Sequence, residues 1–245
     1  MDDLVLDREY KRGDEGPKVR LIQEWLCLEG FQVVVDGGFG PATEVAVRQF
    51  QVQAAVAVDG IVGPVTFSRL VLPMTQALAP IASGGATLGA MVVSYAKQHF
   101  AQRPREVGGQ NRGPWVRLYM SGHDGPDWPW CAGFASFILS QACTTVNTPV
   151  PIAPSVSCDS LAASAKQNGR FVAEADPTGR ARLTPGSLFL NRRTATDWVH
   201  TGVVLDAQAE VFQTIEGNTN DDGSREGYEV CQRVRGYAGK DFVLI

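Results

Sequence analysis

Three Gly-Pro pairs, Gly16-Pro17, Gly40-Pro41 and Gly63-Pro64, recur at intervals of 24 and 23 residues and limit what the first part of this chain can become. Proline loses nothing at the first position of a helix, where its missing N–H would have no partner, and glycine permits a tight turn before it. Each pair therefore predicts a helix start. The stripes that follow agree: Val19, Ile22, Trp25 and Leu26 recur at helical spacing, with Gly30 placed to end the helix. Val45, Ala46, Gln49 and Phe50 make a second stripe, and Thr66, Phe67 and Leu70 begin a short third. The last two copies match at greater length, Asp36-Gly37-Gly38-Phe39-Gly40-Pro41-Ala42-Thr43 against Asp59-Gly60-Ile61-Val62-Gly63-Pro64-Val65-Thr66. Residues 1–72 are thus expected to form a three-helix bundle. Its two Asp-Gly loops would make a shallow surface beside helix N-termini, suited to polar or anionic ligand groups. Turn chemistry alone accounts for the same residues, and on physical grounds it is the simpler reading.

A family resemblance adds a role. Arg12-Gly13-Asp14-Glu15-Gly16, Val19, Leu21-Ile22-Gln23, the Asp36–Thr43 segment, Ala46-Val47-Arg48-Gln49-Phe50-Gln51 and Asp59-Gly60-Ile61-Val62-Gly63 resemble the three-helix peptidoglycan-binding domain family. Ala57-Val58 stands where that family usually has glycine-leucine. The resemblance implies that this module holds an enzyme on the cell-wall polymer, with Asp36, Phe39 and Asp59 among the contacting residues.

Residues 73–88, with Pro73, Pro80 and Ser83-Gly84-Gly85, read as a linker. From Gly89 to the end a second domain is expected. Met91, Val92, Tyr95, Ala96 and His99 share one helix face, which makes His99 a packed structural residue. Further helices are predicted at about 130–142 and 158–167. Strands follow at 187–191, 198–205, 210–216, 227–235 and 241–245. Helices first and a mostly antiparallel sheet after them mean an α+β fold, papain-like in what the resemblance below implies. A chain of 245 residues with 44% hydrophobic content can bury one sizeable core and a small one beside it.

Net charge is −4 with no run of like charges, so no nucleic-acid partner is expected. The start, Met1-Asp2-Asp3-Leu4, has acids where a signal peptide has Lys or Arg, and no long apolar stretch occurs. The expectation is synthesis in the cytoplasm without a signal peptide, no membrane insertion, and action on the wall after lysis or specialised export. Five cysteines and three histidines show no metal spacing, so neither metal nor cofactor is expected. Beyond Cys131, the other four cysteines read as small buried apolar residues, with a Cys143–Cys158 bridge after export left open.

The chemistry centres on Cys131, which follows Trp128-Pro129-Trp130 at the head of an apolar helix. A helix N-terminus and a nearby imidazolium both favour the thiolate, and backbone N–H groups there could hold an oxyanion. Trp128 and Trp130 would offer aromatic surface to a substrate. Read without that context, Cys131 is equally a small core residue. His200 interrupts a strand in Asp197-Trp198-Val199-His200-Thr201-Gly202, so it must find a partner or face a cleft. If residues 207–209 form a three-residue hairpin loop pairing Asp206 with Glu210, the same register pairs His200 with Glu216, their Cβ atoms about 5 Å apart. Asn218 could fix the acid or contact substrate, or be a turn residue. His123, in a Gly-rich loop, is assigned to a solvated rim.

Pro129-Trp130-Cys131-Ala132-Gly133-Phe134, Thr184-Pro185-Gly186-Ser187-Leu188-Phe189, His200-Thr201-Gly202-Val203-Val204 and Ile215-Glu216-Gly217-Asn218-Thr219 resemble the CHAP family of cysteine- and histidine-dependent amidohydrolases and peptidases. Glu106, Asn111-Arg112-Gly113 and Tyr119 also look like that family's lead-in to the nucleophile. The resemblance implies Cys131 as nucleophile, His200 as base, Glu216 as orienting acid and Asn218 as a fourth member. Ser187 replaces the usual Asp and Thr201 an aliphatic residue. The expected function is hydrolysis of an amide in peptidoglycan, by a monomeric phage-type lysin or secreted antibacterial effector, the latter with an immunity or inhibitor protein as partner. The rivals are a wall-binding protein whose second domain has lost turnover, and a thiol amidase for a small soluble amide.

Overall fold

Each Gly-Pro pair starts a helix in the computed structural model, which describes residues 2–220 and 227–245. In chain order the α-helices are α1 (Pro17–Leu28), α2 (Pro41–Gln53), α3 (Pro64–Leu70), α4 (Leu72–Leu78), α5 (Leu88–Ala101), α6 (Pro114–Tyr119), α7 (Cys131–Thr145), α8 (Cys158–Gln167) and α9 (Pro177–Arg180). The strands are β1 (Phe171–Val172), β2 (Leu188–Thr194), β3 (Asp197–Ala207), β4 (Val211–Thr219), β5 (Glu229–Gly236) and β6 (Lys240–Val243). The described residues are α+β, and the chain divides into two compact units.

The first unit comprises the residues through Leu78 together with Arg105–Pro126. Val19, Ile22, Trp25 and Leu26 of α1 are fully buried, as are Thr66, Phe67 and Leu70 of α3 to within a few per cent. The α2 stripe differs from the sequence reading: Val45 and Gln49 are exposed, and Val47 and Gln51 take the inner face with Ala46 and Phe50. Gln51 is drawn in because its loop needs it, and the first loop uses Gln23 identically. Gln23 Nε2 donates to Asp36 Oδ1 (2.8 Å), Gly38 O and Thr43 Oγ1, and Gly37 N donates to Gln23 Oε1. Gln51 Nε2 donates to Asp59 Oδ1 (2.8 Å), Ile61 O and Thr66 Oγ1, and Gly60 N donates to Gln51 Oε1. Left-handed φ values fall at Gly37 (82°) and Gly60 (74°), whereas Gly40 and Gly63 before the prolines are extended. In these two loops the glycine requirement thus lies after the aspartate, whereas Gly16 before Pro17 itself has φ 120°.

α4 covers Leu72–Leu78, so the start of the stretch expected to be linker is helical. The segment 105–126 joins this unit through partners far away in sequence. Trp115 meets Trp25 edge-to-face at 6.1 Å, and Arg117 reaches Asp3 (2.7 Å), Glu24 (2.6 Å) and Asp124 (2.9 Å). Glu24 is buried, and an unpaired charge there would be costly, so Arg117 fixes the segment firmly.

The second unit comprises Ala79–Pro104 and Asp127–Ile245. Its antiparallel sheet runs β1-β6-β2-β3-β4-β5. α5 packs on α7, α7 lies against β3 and β4, and α8 against β3. At one end of the sheet Val172, Phe189, Val204, Phe212, Phe242 and Leu244 form an apolar cluster. β1 has only two residues, too few to show an alternating pattern, and escaped the sequence reading. Among the described residues no helix is long and apolar enough to cross a membrane.

Candidate active site

Cys131 is the first residue of α7, with Trp130 before it, and is 5% exposed. His200 lies on β3 and Glu216 on β4, both buried. His200 Nε2 meets Glu216 Oε2 at 2.8 Å. An ionised carboxylate only accepts, so Nε2 carries the proton in that bond. Nδ1 is buried and has no conventional hydrogen bond among the described residues, and the Cys131 sulfur is the other group whose charge and hydrogen bonding the ring senses.

The ionisation pattern follows from these contacts. Burial pushes the His200 pKa down, but Cys131 and Glu216 outweigh it and raise the value to about 9. The Cys131 thiol is held well below its usual range by a hydrogen bond with Cys158, against the opposing effect of burial, and by His200 and the Thr201 backbone N–H. Burial would raise the Glu216 pKa, yet Arg235 and His200 lower it to about 2. A thiolate beside an imidazolium is the favoured state at neutral pH.

Arg235 and Thr214 were not found from the sequence. Arg235 donates from Nε to Glu216 Oε1 (2.7 Å) and from Nη2 to Oε2 (2.5 Å), and Thr214 Oγ1 donates to Oε1 (2.5 Å). Arg235 sits opposite Phe212 on the β4–β5 ladder, and its long side chain runs along the sheet face to reach Glu216. Its guanidinium lies 5.6 Å from the Phe189 ring centre, and that ring is 5.8 Å from the His200 ring. The only sequence signal was a basic residue on a strand expected to alternate.

The β3–β4 register differs from the expected one. Val203 pairs with Ile215 and Val204 with Thr214, then a bulge shifts the ladder so that Asp206 pairs with Gln213 and Ala207 with Phe212. Near the site this is two residues away from the register that sets His200 opposite Glu216. A displacement of two keeps both side chains on one face, where a displacement of one would have separated them. Glu216 therefore crosses Gly202 to reach His200. A Cβ at Gly202 would lie 2.7 Å from Glu216 Cγ, so the path exists because that residue is glycine.

Other expected site residues are placed differently. Trp130 is fully buried against Phe134 and β4, where a Cβ on Gly217 would come 2.9 Å from its ring, so it is core and offers no face to a substrate. Trp128 is half-buried. Phe39 is 2% exposed and likewise belongs to the core of the first unit, its carbonyl accepting from Gly13 N. Asp36 and Asp59 are exposed, but one oxygen of each is committed to its own loop, accepting from Gly38 N and Ile61 N respectively. Beside the first loop an open groove is lined by Glu15, Gly16, Pro17, Arg20, Asp36, Gly37 and Gly38. Asn218 is fully buried at φ 53°, and neither its Oδ1 nor its Nδ2 has a hydrogen-bond partner among the described residues. His123 is exposed, and His99 is buried with Nε2 2.8 Å from Gln141 Oε1. Glu106, Asn111, Arg112, Gly113 and Tyr119 belong to the first unit, Glu106 Oε2 accepting from Asn111 N (2.7 Å). Thr201, unusual beside the histidine, satisfies its buried hydroxyl on Phe189 O (2.6 Å). Cys158 neighbours Cys131, at 3.9 Å between sulfurs, and none of the five cysteines is in a disulfide. Among the described residues no group of three or more His, Cys, Asp or Glu could hold a metal ion.

Residues 15–70 match a family described as putative peptidoglycan binding domain. The zinc D-Ala-D-Ala carboxypeptidase of Streptomyces albus G is 51% identical over 61 residues, which cover 24% of this chain and 24% of that protein. An uncharacterized protein in the bpoA1 3' region of Kitasatospora aureofaciens is 45% identical over 70 residues, 28% of this chain and 59% of that one. This chain thus spans about a quarter of the first relative and under two thirds of the second. Among solved structures, the SleB N-terminal domain is 37% identical, covering 27% of this chain and 93% of its own, with a TM-score of 0.27. The chain carries an N-terminal peptidoglycan-binding domain.

Proposed function

We propose that this chain is a peptidoglycan hydrolase that cleaves an amide bond, with Cys131 as nucleophile, His200 as proton carrier and Glu216 as the acid that orients it. The observation that carries the reading is one buried constellation, Cys131 at a helix start, His200 beside it and Glu216 2.8 Å beyond, in a chain that also carries a peptidoglycan-binding domain. The carboxypeptidase named above is a hydrolase by its name, which accords with the class of reaction without bearing on its mechanism here.

In this reading the Cys131 thiolate adds to the amide carbonyl, and the developing oxyanion draws on backbone N–H groups at the start of α7. His200 delivers its proton from Nδ1 to the leaving amine, which departs and leaves an acyl-enzyme on sulfur. The neutral imidazole then takes a proton from water, hydroxide adds to the thioester, and the acid product leaves as the thiolate and imidazolium are restored. Glu216 remains ionised throughout and holds Nε2–H, so Nδ1 is the nitrogen that works. Asn218, buried with neither amide atom partnered among the described residues, is the candidate to contact substrate or a bound water. The first unit would raise the local concentration of a repetitive substrate.

Purified sacculi digested with the wild-type protein and with Cys131→Ala test this by mass spectrometry. Stem peptides released from intact glycan identify an amidase, and split stems or cross-bridges an endopeptidase. Either product must vanish in the variant. Unchanged sacculi that still sediment with both proteins would overturn the enzymatic reading in favour of a binding protein.

A further inference from the structure

The second unit holds a thiol that the proposed chemistry does not use. Cys158 is the first residue of α8, 7% exposed, and its sulfur stands 3.9 Å from that of Cys131. That is the contact distance of two thiols, against about 2.05 Å in a disulfide.

Its place is fixed from two sides. On the α7 side, Ser136 Oγ donates to Ser155 O (2.7 Å) and accepts from Ser155 N (3.0 Å), tying the loop before α8 to the helix that begins at Cys131. On the sheet side, Trp198 N donates to Asp159 Oδ1 (2.7 Å), tying the start of α8 to the strand that carries His200. The other cysteines have no such placement. Cys143 and Cys231 are buried with their thiols pushed up, the latter to about 11, and Cys27 donates to Val33 O.

We propose that Cys131 and Cys158 form a disulfide-exchange site, Cys131 as the attacking and Cys158 as the resolving thiol, for small-molecule disulfides such as oxidised glutathione. This rests on the reading of Cys131 as the reactive thiol. The Cys131 thiolate attacks one sulfur of the reagent, forming a mixed disulfide and expelling one thiolate. The first thiolate takes the Nδ1 proton of His200 and leaves as a thiol; Cys158, deprotonated as the now neutral His200 accepts its proton, attacks the Cys131 sulfur and expels the second thiolate, which is protonated in turn. The protein ends with a Cys131–Cys158 disulfide, oxidised by two electrons, and the reagent is reduced to two thiols. With the nucleophile bonded, hydrolysis stops, and a dithiol reductant restores it.

The test treats the full-length reduced protein with oxidised glutathione, quenches with acid, alkylates remaining thiols and maps chymotryptic peptides by mass spectrometry. The expected product is Cys131 linked to Cys158 with Cys143 alkylated, at an intact mass lower by two hydrogen atoms. Cys158→Ser should instead retain glutathione on Cys131, at an intact mass raised by one bound glutathione. Wild-type protein that accumulates the same Cys131 adduct as Cys158→Ser, or leaves both cysteines alkylated while glutathione attaches elsewhere, would overturn the proposal. The peptide map needs no hydrolase activity: a linked pair in a protein whose reduced form leaves sacculi intact would fail the hydrolase reading alone.

Discussion

Replacing Glu216 with Gln and, separately, Arg235 with Gln should move the reactivity of Cys131 in opposite directions. His200 rises from an ordinary value of 6.5 to about 9, which corresponds to about 3 kcal/mol in favour of the imidazolium at roughly 1.4 kcal/mol per decade. Burial opposes that rise, so Cys131 and Glu216 together supply more than the net figure. If Glu216 provides on the order of half, its loss costs about 1.5–2 kcal/mol and lowers the ratio of thiolate–imidazolium to thiol–imidazole at least about tenfold. Glu216→Gln also leaves the Arg235 cation near the ring with no carboxylate to balance it. Arg235→Gln removes that cation and leaves Glu216, which His200 still holds ionised, to act on the imidazolium alone. The assay is the rate of alkylation at Cys131 against pH, with the modified residue located by mass spectrometry and folding checked by circular dichroism. Glu216→Gln should slow alkylation at neutral pH and draw the alkaline limit of the thiolate–imidazolium plateau, set by His200, to lower pH. Arg235→Gln should move that limit to higher pH. Superimposable profiles, or two variants displaced in the same direction, would refute the electrostatic reasoning.

Stability should respond to acid through Glu216. Its folded pKa of about 2 lies below the ordinary 4.5, so about 3 kcal/mol present above that ordinary value is lost as pH falls toward the folded one. Urea titrations across acidic pH should show this slope in the wild type and lose it in Glu216→Gln. Gly202→Ala would set a Cβ 2.7 Å from Glu216 Cγ and 2.9 Å from Ile215 O; a cost of about 2–3 kcal/mol should appear as a lower Tm with slower Cys131 alkylation. Gln51→Ala removes three donated bonds and orphans Gly60 N, which at about 2–4 kcal/mol should weaken sacculus sedimentation and leave Cys131 alkylation unchanged. Trp130→Ala should cost about 3–5 kcal/mol as a core truncation, and half-buried Trp128→Ala under about 1 kcal/mol, both read from denaturant midpoints.

Local chemistry was legible wherever a residue's role is set by its neighbours in sequence. The Gly-Pro pairs gave α1, α2 and α3 their starts, and α8 falls at Cys158–Gln167, where a helix was expected. The α2 face was misread because Gln51 looks polar and Val45 apolar. Burial there is decided by the loop that Gln51 must satisfy, and a hydropathy stripe does not register that demand. Trp130 and Phe39 were misassigned for a related reason. A large aromatic beside a reactive residue or a turn reads as a ligand surface, and only packing tells whether a face stays open.

The sequence by itself determined which residues are the candidates for the proposed chemistry, since a thiol at a helix start and a histidine and glutamate on neighbouring strands are statements about residue type and local conformation. Tertiary structure decided how they meet. The β3–β4 ladder lies two residues from the register that direct pairing required, and contact survives because strand side chains repeat every second residue and Gly202 leaves room for Glu216 to cross. Arg235 on the acid, Cys158 on the thiol and Arg117 drawing residues 105–126 into the first unit all join positions far apart in the chain. Such partners are chosen by the long-range geometry of packing, for which local periodicity holds no record.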